Sequence, residues 1–224
     1  MSVRLVTALA PDSAATEAYR TLRTNLLYAQ VDRPPRVIAL TSPGPQEGES
    51  TTCANLGVVL AQAGAKTLIL DCDLRKPVIH KVFGMRNIQG IMNILLEEHG
   101  LQEIAQEPVP GLKVVAVGPV PPNPAEILGS ERFARLIEQA RRDFDFVLLD
   151  TPPVEFVSDV AILSAQTDGV LLVVDAQRTP KRALRRSVKS LETVGAKIIG
   201  TVMNNFKVSR DAYASYGGPT YVER

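Results

Sequence analysis

The sequence predicts an α/β domain built on a doubly wound, mostly parallel sheet with helices on both faces. Three observations carry this prediction. Runs that are apolar throughout, such as residues 37–40 (VIAL) and 146–149 (FVLL), recur along the chain. Segments with apolar residues at helical spacing separate them. Glycine-rich or acidic segments stand directly after several of these runs. Strands without polar alternation are covered on both faces, and their alternation with helices makes them parallel neighbours.

In chain order, residues 1–12 read as a loose arm. Residues 13–30 carry Tyr19, Leu22 and Leu26 at helical spacing, and Pro34 and Pro35 end that helix. Residues 37–40 form the first strand. Residues 50–63 follow as a helix stopped by Gly64, and residues 67–70 form the second strand. Short helices are expected at 78–83 and 91–98, and a third strand at 112–117. The stretch GPVPPNPAE breaks the chain. A helix over 130–141 then begins at Ser130, whose hydroxyl suits an N-cap. Strands at 146–149, 170–174 and 198–202 complete the sheet, with a helix over 180–194 before the last. The expected organisation is an N-terminal arm and helix (1–30), the sheet domain (31–206) and a polar, tyrosine-containing tail (207–224).

Composition narrows the function classes. The 224 residues are 45% hydrophobic, enough for a packed core and too many for wholesale disorder. A formal net charge of +1 supplies no global attraction to nucleic acid. No apolar run approaches the roughly 20 residues that span a bilayer, and the start, MSVRLVTALAPDS, is too polar for a signal peptide. Cys53 and Cys72 both lie in apolar contexts and fit reduced, buried side chains in a cytoplasmic protein. No Cys/His/Asp cluster surrounds His80 or His99. The basic stretch 178–190 reads either as an exposed helix face or as a surface for a membrane or an acidic partner segment.

In open parallel sheets ligands bind beyond the carboxyl ends of the strands. There the first strand gives way to TSPGPQEGESTT, residues 41–52. A tight Gly/Pro turn feeding a helix turns backbone N–H groups into one concavity that favours phosphate. Gly48 and Ser50 fit the pattern G-x-x-x-x-G-K-[ST], Pro43 replaces its first glycine beside Gly44, and Glu49 replaces its lysine. Gly44, Gln46, Glu47, Gly48, Glu49, Ser50 and Thr51 are the candidate phosphate-binding residues. The second strand leads into LILDCDLRKP, where Asp71 and Asp73 fall on one side if strand geometry continues. Two such carboxylates suit Mg²⁺ or activation of a hydroxyl. Arg75 and Lys76 stand near enough in sequence to pair with phosphates or with those aspartates. The fourth strand leads into FDFVLLDTPPV, with Asp150 where a Walker B acid would act on Mg²⁺.

These segments resemble the bacterial tyrosine kinase family of capsule and exopolysaccharide export, a family with a P-loop NTPase-like fold. SPGPQEGESTT corresponds to its Walker A region, LILDCDLRKP is similar to its A′ motif, and FDFVLLDTPPV to its Walker B. EAYRTLRTN resembles its N-terminal E-x-x-R-x-x-R signature through Glu17, Arg20 and Arg23, and PPNPAEIL is also family-like. The resemblance implies ATP and Mg²⁺ as cofactors, with Ser50, Asp73 and Asp150 serving the metal and Asp71 as base for an incoming tyrosine hydroxyl. It implies a ring-like homo-oligomer held through Glu17, Arg20 and Arg23, although at this spacing they also fit ion pairs on one helix face. Tyr213, Tyr216 and Tyr221 would be phosphoacceptors offered to a neighbouring subunit. A separate membrane activator would recruit the cytoplasmic protein to the inner face of the cell membrane.

Glu49 departs from that pattern. A lysine there would meet the β- and γ-phosphates with positive charge. One unit pair at about 4 Å is worth roughly 4 kcal/mol at an effective dielectric near 20, and reversing its sign about doubles the swing. Impaired ATP binding or turnover is therefore expected. Three accounts fit the sequence: a catalytically dead structural or regulatory member, an active kinase using Lys76 or a neighbouring subunit's cation, or an altered residue. A positioning ATPase shares the motif layout, but its early P-loop lysine has no counterpart in SPGPQEG. Iron–sulfur relatives need cluster-facing cysteines that Cys53 and Cys72 do not obviously supply.

Overall fold

The computed structural model describes residues 5–29, 34–96, 99–155 and 158–206. Its elements in order are α1 (Val6–Leu9), α2 (Ala14–Tyr28), β1 (Val37–Thr41), α3 (Glu49–Gln62), β2 (Thr67–Asp71), α4 (Ile79–Val82), α5 (Ile91–Leu96), α6 (Leu101–Ile104) and β3 (Gln106–Val109). There follow β4 (Leu112–Val115), α7 (Pro124–Leu128), α8 (Glu131–Asp143), β5 (Phe146–Asp150), α9 (Asp159–Ser164), β6 (Gly169–Asp175), α10 (Lys181–Thr193) and β7 (Ile198–Asn204).

Among the described residues, seven strands make one sheet in the order β3-β4-β2-β5-β1-β6-β7. Every pairing is parallel except β3 with β4. All five residues of β1, β2 and β5 are buried, as expected for strands covered on both faces. Successive residues feed opposite cores. Val37, Ala39, Leu68, Leu70, Val147 and Leu149 pack with the apolar faces of α5, α8 and α9. Ile38, Leu40, Ile69 and Leu148 pack with α3 on the other face.

Helix α3 explains the first correction. Its residues from Thr52 to Ala61 are all buried, so it needs cover on its outer side as well. The N-terminal segment supplies that cover. Tyr19, Leu22 and Leu26 of α2 pack into the same core. Thr7 of α1 donates its hydroxyl to Asn55 Oδ1 at 2.8 Å, and both residues are buried. The described part of the expected loose arm is therefore a packed helical layer. A second correction concerns the chain after α6. The antiparallel edge strand β3 has mostly exposed residues and lacks the apolar run that marks the other strands. Helices α7 and α9 were also not expected. α7 begins within the proline-rich break, with Pro124 at its first turn, where a missing N–H costs no hydrogen bond.

Candidate functional site

The crossovers bring the carboxyl ends of β1, β2 and β5 side by side. In the register, Asp71 of β2 stands beside Asp150 of β5, and Leu40 of β1 stands on Asp150's other side. The glycine-rich loop leaves β1 at this point and enters α3 through Gly48. It is anchored from below by contacts with the segment after β5. Thr41 Oγ1 donates to Pro152 O at 2.8 Å, and Val154 N–H donates to Ser42 O at 2.9 Å.

The loop's conformation is specialised. Gln46 has φ 61 without being glycine, and Gly48 has φ 95 as the N-cap of α3. At Gly48 a side chain is excluded twice, because a Cβ would also lie 2.1 Å from Asn204 Nδ2. That amide donates to Glu47 O at 3.0 Å. Asn205 Nδ2 donates to Asp175 Oδ2 at 2.8 Å, and Asp175 N–H faces Glu47 Oε2 at 3.5 Å. The ends of β6 and β7 thus clamp the loop from the side. Sequence reading missed Asp175, Asn204 and Asn205. The paired amides directly after an apolar strand were a usable signal, but only the sheet order places them beside the loop.

The acids are held in unequal ways. Asp150 is fully buried and neither carboxylate oxygen has a hydrogen-bond partner. Burial, followed by the adjacent Asp71, drives its pKa well above the ordinary carboxylate range. Asp71 Oδ2 accepts from Ile79 N–H at 3.1 Å, while its Oδ1 is buried without a partner. Burial is the main cause raising its pKa to about 7. Strand geometry ends at Asp71, so Asp73 does not simply continue the row. Its Oδ1 accepts the N–H groups of Arg75 and Lys76, at 3.2 and 2.9 Å. Glu49 opens α3 and points inward, with Oε2 buried and unpartnered. Burial is again the first cause of its raised pKa, with Glu47 and Asp73 adding like-charge repulsion.

Arg75 does not pair with these aspartates through its side chain. Its guanidinium is bidentate on Asp159 of α9, with Nε–Oδ2 at 2.9 Å and Nη2–Oδ1 at 3.2 Å. Asp159 is wholly buried and was not singled out in the sequence. The pair ties the loop after β2 to the helix that follows β5, and it removes the guanidinium from the pool of cations free to meet phosphate.

The donor set fits a hard cation. Ser50, Asp71, Asp73 and Asp150 are all oxygen donors, and buried oxygens of Asp71 and Asp150 have no internal partner. No group of three or more His, Cys, Asp or Glu side chains among the described residues is arranged to hold a metal unaided. That suits Mg²⁺, which usually takes one or two carboxylates and leaves its other positions to water and phosphate. Cys53 and Cys72 are buried in the core as free thiols. His80 is likewise not part of a metal group.

The N-terminal signature divides. Arg20 pairs with Glu17 at 3.1 Å on the outer face of α2, whereas Arg23 Nη1 donates to Val59 O of α3 at 3.0 Å. The family-like PPNPAEIL stretch forms α7 and, with Met92 and Leu96, lines an apolar groove of about 380 Å³. Tyr213, Tyr216 and Tyr221 lie outside the described residues.

Comparison with known proteins agrees with this geometry. A family model described as "ParA: NUBPL iron-transfer P-loop NTPase" matches residues 35–213. Tyrosine-protein kinase YwqD of Bacillus subtilis is 39% identical over 97% of this chain and 92% of its own length. The chimerical protein CapA2B2 superposes with a TM-score of 0.87 at 36% identity, covering 92% of this chain and 93% of that one. The kinase domain of Escherichia coli tyrosine kinase ETK gives a TM-score of 0.85 at 30% identity, covering 93% and 84%. With its strand-end acids, its phosphate-type loop and this similarity over nearly its whole length, the chain belongs to the bacterial tyrosine-protein kinases, a family built on the ParA-type P-loop NTPase domain.

Proposed function

We propose that this chain is an ATP-dependent protein-tyrosine kinase of the capsule and exopolysaccharide type, slowed by Glu49, that phosphorylates tyrosines of its own tail between subunits. The observation that carries this reading is the in-register placement of Asp71 and Asp150 at the ends of neighbouring central strands, beside the loop that opens α3. In this reading the backbone N–H groups of residue 44 and of residues 46–51 hold the phosphates. Ser50, Asp73 and Asp150 hold the metal. Bound Mg-ATP would supply the transferable phosphoryl group and the charge that balances it.

Asp71 has the environment of a general base. Its pKa of about 7 lets it exist as carboxylate near neutrality and still take a proton. Its Oδ2 is occupied by Ile79 N–H, which leaves Oδ1 to accept the proton of an incoming tyrosine hydroxyl. The Arg75–Asp159 pair and the N–H groups of residues 75 and 76 hold the A′ loop in place around Asp73. Exposed Glu17 and half-buried Arg20 on α2 are the contacts for a neighbouring subunit. Recruitment to the inner face of the cell membrane falls to a separate membrane activator. No helix among the described residues is long and apolar enough to cross a membrane.

Position 49 favours a second reading, a member that assembles and regulates without transferring phosphate. Incubating the full chain and its Glu49→Lys variant with Mg-ATP and detecting phosphotyrosine separates the two. The kinase reading expects weak labelling of the chain and labelling at least about tenfold faster in the variant, equivalent to about 1.4 kcal/mol of restored transition-state stabilisation. Labelling only in the variant supports the regulatory reading. No phosphotyrosine in either overturns the kinase reading.

A further inference from the structure

We infer that Glu49 is a binding residue for an additional divalent cation in the nucleotide pocket, a cation that takes the position of the missing lysine charge. The inference rests on the nucleotide-binding reading above and deepens it.

The pocket gathers carboxyl groups that lack internal donors. Glu49 Oε2, Asp71 Oδ1 and both oxygens of Asp150 are buried without a hydrogen-bond partner. Asp150 and Asp71 are fully buried and stand side by side in register. A buried carboxylate with no donor is costly, so these acids hold their protons until a positive partner is bound. The guanidinium of the A′ loop does not provide one, because Arg75 is held bidentate on Asp159. Among the described residues, Asp73 Oδ1 accepts from two backbone N–H groups.

A triphosphate adds further negative charge to the same place. In a loop with lysine, one Mg²⁺ and one ammonium share the balance. With a carboxylate at the lysine position, one Mg²⁺ must offset the phosphates without the ammonium, and Glu49 adds a further negative charge once it ionises. Glu49 opens α3 directly after the N-cap Gly48, next to Ser50, and its carboxyl is near enough to Asp73 and Asp150 for their charges to repel it. A carboxylate there can share a hard cation with phosphate oxygens, which is the way Mg²⁺ and Mn²⁺ are held where protein ligands are few.

The test counts metal, independently of phosphoryl transfer. The full chain and its Glu49→Gln and Glu49→Lys variants are titrated with Mn²⁺ and a non-hydrolysable ATP analogue, and bound Mn²⁺ is read by electron paramagnetic resonance. The expected result is about two Mn²⁺ per bound nucleotide in the chain and about one in each variant. A count of one in the unaltered chain overturns the inference, as does an unchanged count of two in both variants. Analogue binding by Glu49→Lys alone, at every Mn²⁺ concentration, overturns the inference and leaves the nucleotide fold intact. No analogue binding by any of the three overturns the inference and the nucleotide-binding reading together.

Discussion

At the residue scale, the acids of the strand ends make stability depend on pH in an unusual direction. An ordinary surface aspartate paired with a cation loses stability as pH falls. Asp71 behaves oppositely, because burial raises its pKa from 3.8 to about 7. The folded chain then binds more protons than the unfolded chain across that window. The resulting stabilisation is complete below 3.8 and is lost as pH rises through about 7. Asp150 adds to the slope in the same direction. Urea unfolding of the metal-free chain should therefore show stability falling between these limits by a few kcal/mol, since each tenfold difference in proton affinity is worth about 1.4 kcal/mol. Asp71→Asn should flatten that slope. A metal-free stability that rises over the window would contradict the buried, unpaired state of these carboxylates. The individual acids were visible in the sequence because each follows an apolar run. Their mutual repulsion was not, since Asp71 and Asp150 are far apart along the chain and meet only through the β2–β5 pairing.

Between elements, the phosphate-type loop is shaped by neighbours from the end of the chain. Asn204 of β7 donates to Glu47 O and fills the space where a side chain on residue 48 would lie. Gly48→Ala must both hold φ 95 and displace that amide. We expect it to destabilise the chain by about 1–3 kcal/mol, the usual cost of a strained backbone position. Nucleotide affinity should fall with it. Asn204→Ala, which leaves the backbone of residue 48 unstrained, should lower affinity with a smaller loss of stability. Denaturant unfolding and calorimetry read the two effects separately, and equal behaviour of both variants would remove Asn204 from loop positioning. Glycine at position 48 was legible from the motif spacing, but the amide against it was not. Helices α1 and α2 make a similar point. The periodicity of α2 was readable, whereas α1 is a single turn with too few residues to show a period. Its burial against Asn55 comes from the outer side of α3 needing cover.

For the whole molecule, α2 presents two arginines with different duties. Arg20 is half-buried and bonded to the exposed Glu17 within the helix. Arg23 reaches back to a carbonyl of α3. In the proposed ring, Arg20→Ala should weaken self-association in sedimentation while the unfolding midpoint barely moves, because an exposed helical pair is worth only about 0.3–0.5 kcal/mol. Arg23→Ala should instead cost stability, about 1.5–3 kcal/mol for a charged hydrogen bond. If tail tyrosines are labelled between subunits, the labelling rate per chain should rise with protein concentration. A concentration-independent rate would place the reaction within one chain.

By itself the sequence determined the α/β class, the six parallel strands, the helices between most of them and the three motifs at their carboxyl ends. Those signals are local: an apolar run, a helical period and a loop composition can each be read within a dozen residues. Tertiary structure alone decided which charges meet. It gave Arg75 to Asp159 rather than to the motif aspartates, seated Asn204 against Gly48, and packed the N-terminal turn onto α3. The physical reason is the crossover topology, which brings the ends of distant strands to one edge of the sheet. Position 49 shows both levels. The reversed charge was plain in the sequence, but its burial beside unpartnered acids depends on the assembled fold.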